Sequence, residues 1–171
     1  DIPQVLPLLP LRNTILFPGV VLPITVGRDK SILAVKEAYK ANKLIGVVGQ
    51  IDASIEEPEF KDIYRIGTVA QILRMIKMPD GSTTAIIQGR NRFVANDLLQ
   101  SEPFIKATIE VLHDIMPVND KEFEASMMSV KELAAHIIKL NPQIPSEAGI
   151  VLKNINNPVT LTHFISSNLN I

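Results

Sequence analysis

Cysteine is absent from the 171 residues, which excludes disulfides, thiolate zinc sites and a cysteine nucleophile. Charge of one sign is missing too: 17 lysines and arginines stand against 18 aspartates and glutamates, so no net field draws the chain toward nucleic acid. Aromatic residues are only 5% of the chain, a poor supply for stacking bases. No apolar run approaches the roughly 20 residues that span a bilayer, and no basic segment precedes an apolar one at the start. The expectation is a soluble cytoplasmic protein with no membrane partner. Fixed-period repeats and low-complexity tracts are also lacking.

What is present is apolar substance, 46% of the residues, enough for a core burying about 70% of the unfolded surface. Four of the 12 prolines lie in residues 7–23, PLLPLRNTILFPGVVLP. Proline cannot donate to a sheet ladder, so Pro7, Pro10, Pro18 and Pro23 predict two short edge strands, protected from pairing with another chain. Phe17-Pro18-Gly19 joins them, with proline and glycine placed for a type II turn. Val20, Leu22, Ile24 and Val26 then share one face at period two.

Asp29 is the expected cap of a helix that buries Ile32, Val35 and Tyr39. Leu44 to Gln50 predicts a buried strand, and residues 52–62, rich in Asp and Glu, an acidic surface loop. Tyr64 to Met78 has spacing that also suits a helix, but Met78-Pro79-Asp80-Gly81-Ser82 is turn chemistry, which makes the stretch one arm of a long hairpin. Ile105, Ala107, Ile109 and Val111 alternate with polar residues, as in a half-buried antiparallel strand. After Met116 the period changes. Asn119 to Glu122 fits a capping box ahead of a helical seam of Phe123, Met127, Val130, Ala134 and Ile137. Two shorter helices follow, one capped by Ser146 and one opened by Asn157-Pro158 with Leu161, Phe164 or Ile165, and Leu169 inward. The fold class is α+β, a β-rich part over 1–115 with one helix and a helical part over 116–171.

No catalytic constellation emerges. Lys30-Ser31 at a helix start resembles the end of a phosphate loop, but Asp29 stands where glycine is needed. Arg28, Asp29 and Lys30 read as exposed charges at a capped helix start, with a peptide-binding role for the three as the alternative. His113, His136 and His163, expected on a strand and two different helices, have no metal-ligand spacing, and no serine has a nucleophile-elbow context. Arg90 and Arg92 beside Phe93 suit RNA contact only if the aromatic faces outward; an inward Phe93 leaves a plain charged strand. Met75 and Met78, with Pro79, lie near the hairpin tip, where flexible thioethers adapt to varied apolar partners. At Met75 core filling and partner binding are both open; Met78 is expected outside.

LPLLPLRNTILFPGVVLPITVGRDKSI, YRIGTVAQILRMIKMPDGSTTAIIQGRNRF and LNPQIPSEAGIVLKNINNPVTLTHFISSNL together resemble the N-terminal domain of bacterial ATP-dependent Lon proteases, over essentially the whole chain. The resemblance implies a PUA-like antiparallel β pseudo-barrel followed by the start of a helical bundle. It implies a non-catalytic substrate-recognition and assembly domain, with unfolded or damaged proteins as partners and a homohexameric parent. ATP, magnesium and a Ser-Lys proteolytic module would then lie outside these residues. PUA-like folds also bind RNA or, in cereblon, use a tryptophan cage and cysteine-bound zinc; this chain has neither Trp nor Cys.

Overall fold

The computed structural model describes residues 1–118, 120–145 and 147–168. Its elements are β1 (Val5–Leu11), β2 (Val21–Val26), α1 (Asp29–Lys40), β3 (Leu44–Gln50), β4 (Ile63–Lys77), β5 (Thr83–Gln100), β6 (Lys106–Val111), α2 (Lys121–Leu140), α3 (Glu147–Asn154) and α4 (Pro158–Ser167). They form two compact units, 1–113 and 114–171. Against the 115/116 boundary read from the change of period, the first unit ends just beyond Leu112, whose N–H still donates to Arg92 O at 2.8 Å.

In the first unit the sheet order is β2-β5-β4-β3-β1-β6, and β6 pairs back to β5. Five strands therefore close a ring and β2 lies outside it, paired with β5 alone among the described residues. The expected antiparallel pseudo-barrel holds with one correction, a parallel pair: β1 and β3 run parallel, and every other described pair is antiparallel. Parallel neighbours need a crossover of a dozen or more residues, and β2 with α1 supplies it.

The opening prolines require a second correction. β1 is an interior strand, and it does not form a hairpin with β2. Its first half, Val5–Pro7, pairs with β6, and its second, Leu8–Leu11, with β3. Ile109 N donates to Gln4 O and Leu8 N to Ile105 O, so the even-numbered residues of β1 turn their backbone groups toward β6 and the odd-numbered ones toward β3. Pro7 thus faces β3 before that ladder begins, and Pro10 faces the β6 side after that ladder has ended. Each missing N–H falls where no partner strand requires one. Pro23 does lie on an edge strand, as expected. Gly89 N donates to Val20 O, so by alternation Pro23 points away from β5, to the open side of β2. The turn between these strands matches its sequence: Val20 N bonds Phe17 O at 3.2 Å and Gly19 has φ +82°.

Two apolar clusters result. One lies inside the ring and includes Leu6, Leu8, Val48, Val69, Phe93, Ala107 and Ile109. The other gathers Leu9, Ile24, Val26, Ile45, Val47, Ile72 and Ile87 with Ala34, Val35 and Ala38 of α1. β1 and β3 contribute to both, which explains their unbroken apolar runs. The buried stripe of α1 is Ser31, Ala34, Val35 and Ala38; Ile32 and Tyr39 only flank it. Small residues let the helix approach the sheet closely. Arg28, not Asp29, occupies the N-cap position, with no side-chain cap bond.

In the second unit Asp120 caps α2, accepting from Phe123 N at 2.9 Å, one residue after the expected Asn119, which lies outside the described residues with Ser146 and Leu169. The expected α2 seam is also corrected. Val130 and Ile137 are exposed, while the half-buried stripe runs Phe123, Met127, Lys131, Ala134 and Ile138. A straight helix keeps a period near 3.6 and drifts from a strict heptad. Asn157 caps α4 by accepting from Thr160 N at 3.0 Å, and Leu161 is buried as expected. His113 lies beyond β6 rather than on a strand. No described helix is long and apolar enough to cross a membrane.

Candidate functional site

The outer face of β2, β5 and β4 follows from register. Pro23 and Arg74 both pair with Ile86, Thr25 and Ile76 with Thr84, and Val21 and Gln71 with Gln88. Directly opposed residues share a face, and the opposite face holds the core residues Ile24, Val26, Ile72, Ala85 and Ile87. A register shift between Ile72 and Arg74 inserts Leu73 as an extra residue. The outer face therefore carries Val21, Leu73 and Ile76, exposed by 49%, 45% and 41%, around the half-buried Ile86. Met78, 39% exposed, extends this apolar surface toward the hairpin tip. Its rim is polar or basic: Gln71, Arg74, Thr84, Gln88 and Arg90, with Arg90 Nη2 donating to Gln71 Oε1.

The tip itself is tightly hydrogen bonded. Met78 N donates to Ser82 O at 2.9 Å, while Asp80 accepts from Ser82 N at 2.9 Å and Ser82 Oγ at 2.6 Å. The Ser82 hydroxyl, then its amide, holds the Asp80 carboxyl below the usual carboxylate range. A carboxyl whose pKa is lowered by folding stabilises the fold above its unfolded value, about 3.9, and that contribution is lost as pH falls through the lower folded value. In an amide titration the Ser82 resonance is expected to move with a midpoint below about pH 3.9; a midpoint at or above that value would show that the turn does not hold the carboxylate.

The residues singled out from sequence do not all reach one surface. Met78 and Pro79 are exposed at the tip. Met75 is half-buried and packs on the cluster beneath α1, which supports the core-filling role of the two left open for it. Arg28, expected exposed, is half-buried: it donates to Gln50 Oε1 at 3.0 Å, Glu56 O at 3.2 Å and Pro10 O at 2.6 Å. Asp29 is exposed in the first turn of α1. Lys30 bonds Glu102 at 2.5 Å and lies 3.9 Å from Glu57, and the Glu102 bond raises its pKa. Phe93 is wholly buried, so the aromatic that an RNA reading needed beside Arg90 and Arg92 points into the core. Leu73, Ile76 and Val21 escaped sequence reasoning. The mixed helix-and-strand spacing of 64–78 was the available signal, because a bulge reverses alternation midway.

The sheet face beside the closed barrel is apolar at its centre and polar or basic at its rim, a surface suited to contact with another molecule. The family model described as ATP-dependent protease La (LON) substrate-binding domain matches residues 5–171. The chain belongs to that family. It is 54% identical over 171 residues to the Lon protease of Cytophaga hutchinsonii, covering 99% of this chain and 21% of that protein. To the Lon protease of Flavobacterium johnsoniae it is 51% identical, with 100% and 21% covered. The chain thus spans about a fifth of the length of these relatives. A solved structure, the N-terminal domain of the Mycobacterium avium complex Lon protease, superposes with a TM-score of 0.73 at 21% identity, covering 98% of this chain and 86% of that one. At that identity the likeness supports the fold.

Proposed function

We propose that this chain is the polypeptide-recognition part of an ATP-dependent serine protease, and that the outer face of β2, β5 and β4 receives apolar stretches exposed by unfolded or damaged proteins. The observation that carries this reading is the group Val21, Leu73, Ile76 and Met78 around Ile86, uncovered and rimmed by polar and basic side chains. Membership of a substrate-binding family supports it. ATP hydrolysis and peptide-bond cleavage, by a serine-lysine pair, belong to other parts of a cytoplasmic homohexameric parent. Burying one large apolar side chain contributes about 1.5–3 kcal/mol and a Kd of 1 mM needs about 4 kcal/mol, so a module that seats two such side chains binds weakly, with Kd of order 1 mM. Several copies in one assembly raise avidity by roughly 10²–10⁴. Weak single contacts allow release of what is sampled.

The test is a titration of the isolated chain with a permanently unfolded polypeptide and with the folded form of the same polypeptide. Saturable binding of the unfolded form alone is expected; equal binding of both, or of neither, contradicts the reading. A role in assembly has one observation of its own: Val130, Leu133, Ile137 and Leu140 lie exposed along α2 at helical spacing.

A further inference from the structure

A recess of the barrel unit adjoins the edge of the outer face and shares Pro23 and Thr25 with it. It is a groove of about 600 Å³ between Leu9–Leu11 of β1 and Leu22–Val26 of β2, with Arg12 and Arg28 in its lining. We infer that this groove seats an extended polypeptide segment whose apolar side chains lie between the two strands and whose single acidic side chain meets Arg12 and Arg28. The inference rests on the reading that the chain binds polypeptide, and it adds a second contact with its own chemistry.

Charge complementarity carries it. Arg28 is half-buried, and its bonds go to an amide oxygen and two backbone carbonyls, all neutral. Arg12 donates to Ile55 O at 3.0 Å and Glu56 O at 3.5 Å, again neutral acceptors. Both guanidiniums therefore converge on the Glu56 carbonyl, and no carboxylate bonds either one among the described interactions. Burial lowers the Arg28 pKa, the Arg12 charge lowers it further, and Glu57 only partly opposes them. Two converging cations held by neutral dipoles favour an incoming anion, and the planar fork of arginine fits a carboxylate with two hydrogen bonds. Apolar wall surface comes from the half-buried Leu11 and Leu22 and the exposed Pro23.

The walls also decide the mode of contact. Pro10 has no N–H and its carbonyl is taken by Arg28, while Pro23 leaves a gap in the open edge of β2. Continuous ladder pairing is thereby blocked on both sides, so the segment is held through its side chains and not as an added strand. Selectivity for sequence follows from that, since main-chain pairing would accept any extended segment.

The experiment uses two fluorescent peptides of one apolar sequence that differ by a single Glu or Gln at the centre, titrated into the wild-type chain and into Arg12→Ala. Arg12 is chosen because it is exposed and, among the described residues, bonds only the Ile55 and Glu56 carbonyls, whereas Arg28 is half-buried and also bonds Gln50 Oε1 and Pro10 O. The wild type is expected to bind the Glu peptide about tenfold more tightly than the Gln peptide, and Arg12→Ala to bring the two within about twofold. Equal affinities in the wild type, or a preference that survives Arg12→Ala, overturn the groove while leaving polypeptide binding at the outer face intact. Absence of binding by either peptide overturns both.

Discussion

Replacing Phe93 by alanine is expected to lower the stability of the barrel unit by about 3–5 kcal/mol, toward the upper end of that range. Phe93 is wholly buried inside the ring. A Cβ added at Gly46 would lie 2.9 Å from its ring, and one at Gly67 would lie 3.0 Å away, so the ring covers two positions that have no side chain of their own. Gly67 and Phe93 are register partners across β4 and β5, and Gly67 also faces Val48 of β3. Truncation leaves a cavity bounded partly by backbone. Glycines cannot rotate a side chain into the space, and closed strands cannot move inward without breaking ladders, so little of the loss is recovered. Urea unfolding should show a lower midpoint with an unchanged slope; a loss below about 1 kcal/mol would mean that the interior relaxes freely.

The second large effect concerns binding. Leu73→Ser combined with Ile76→Ser is expected to reduce affinity for an unfolded polypeptide by about 10- to 50-fold, because each substitution removes roughly 1 kcal/mol of recoverable burial. Both side chains are more than 40% exposed, so thermal stability should change little. Met75→Ser should behave in the opposite way. Its side chain packs on the core beneath α1, and the change should destabilise the unit with only an indirect effect on affinity. In a full-length parent the double variant should degrade unfolded substrate slowly with its ATPase intact. Similar affinity losses from Met75→Ser and from the double variant would argue against a binding face defined by the bulge.

Much of the barrel was legible because its signals are local. The β4–β5 turn, the alternation through Ile105, Ala107 and Ile109, and the Asn157-Pro158 helix start all appear where their residues place them. The interior place of β1 was not legible. Proline usually marks an edge, and only the staggered pairing of β1 with β6 and then β3 shows how Pro7 and Pro10 fit inside a ring. The site was half legible for a similar reason. Sequence pointed to the hairpin near Met75 and Met78, but a one-residue bulge decides which neighbours face solvent, and that depends on register with β5. Arg28 shows the same limit: its charge was visible, whereas its hydrogen bonds to Gln50, Glu56 and Pro10 join segments distant in the chain.

The central claim is that the outer face of β2, β5 and β4 binds apolar polypeptide, and backbone amide NMR of the labelled chain during titration with a permanently unfolded polypeptide tests it most directly. Saturable shifts at Val21, Leu73, Ile76, Met78 and Ile86 are predicted. A silent outer face at millimolar ligand, or shifts confined to α2, would contradict the claim and leave assembly as the better explanation for the exposed apolar surface.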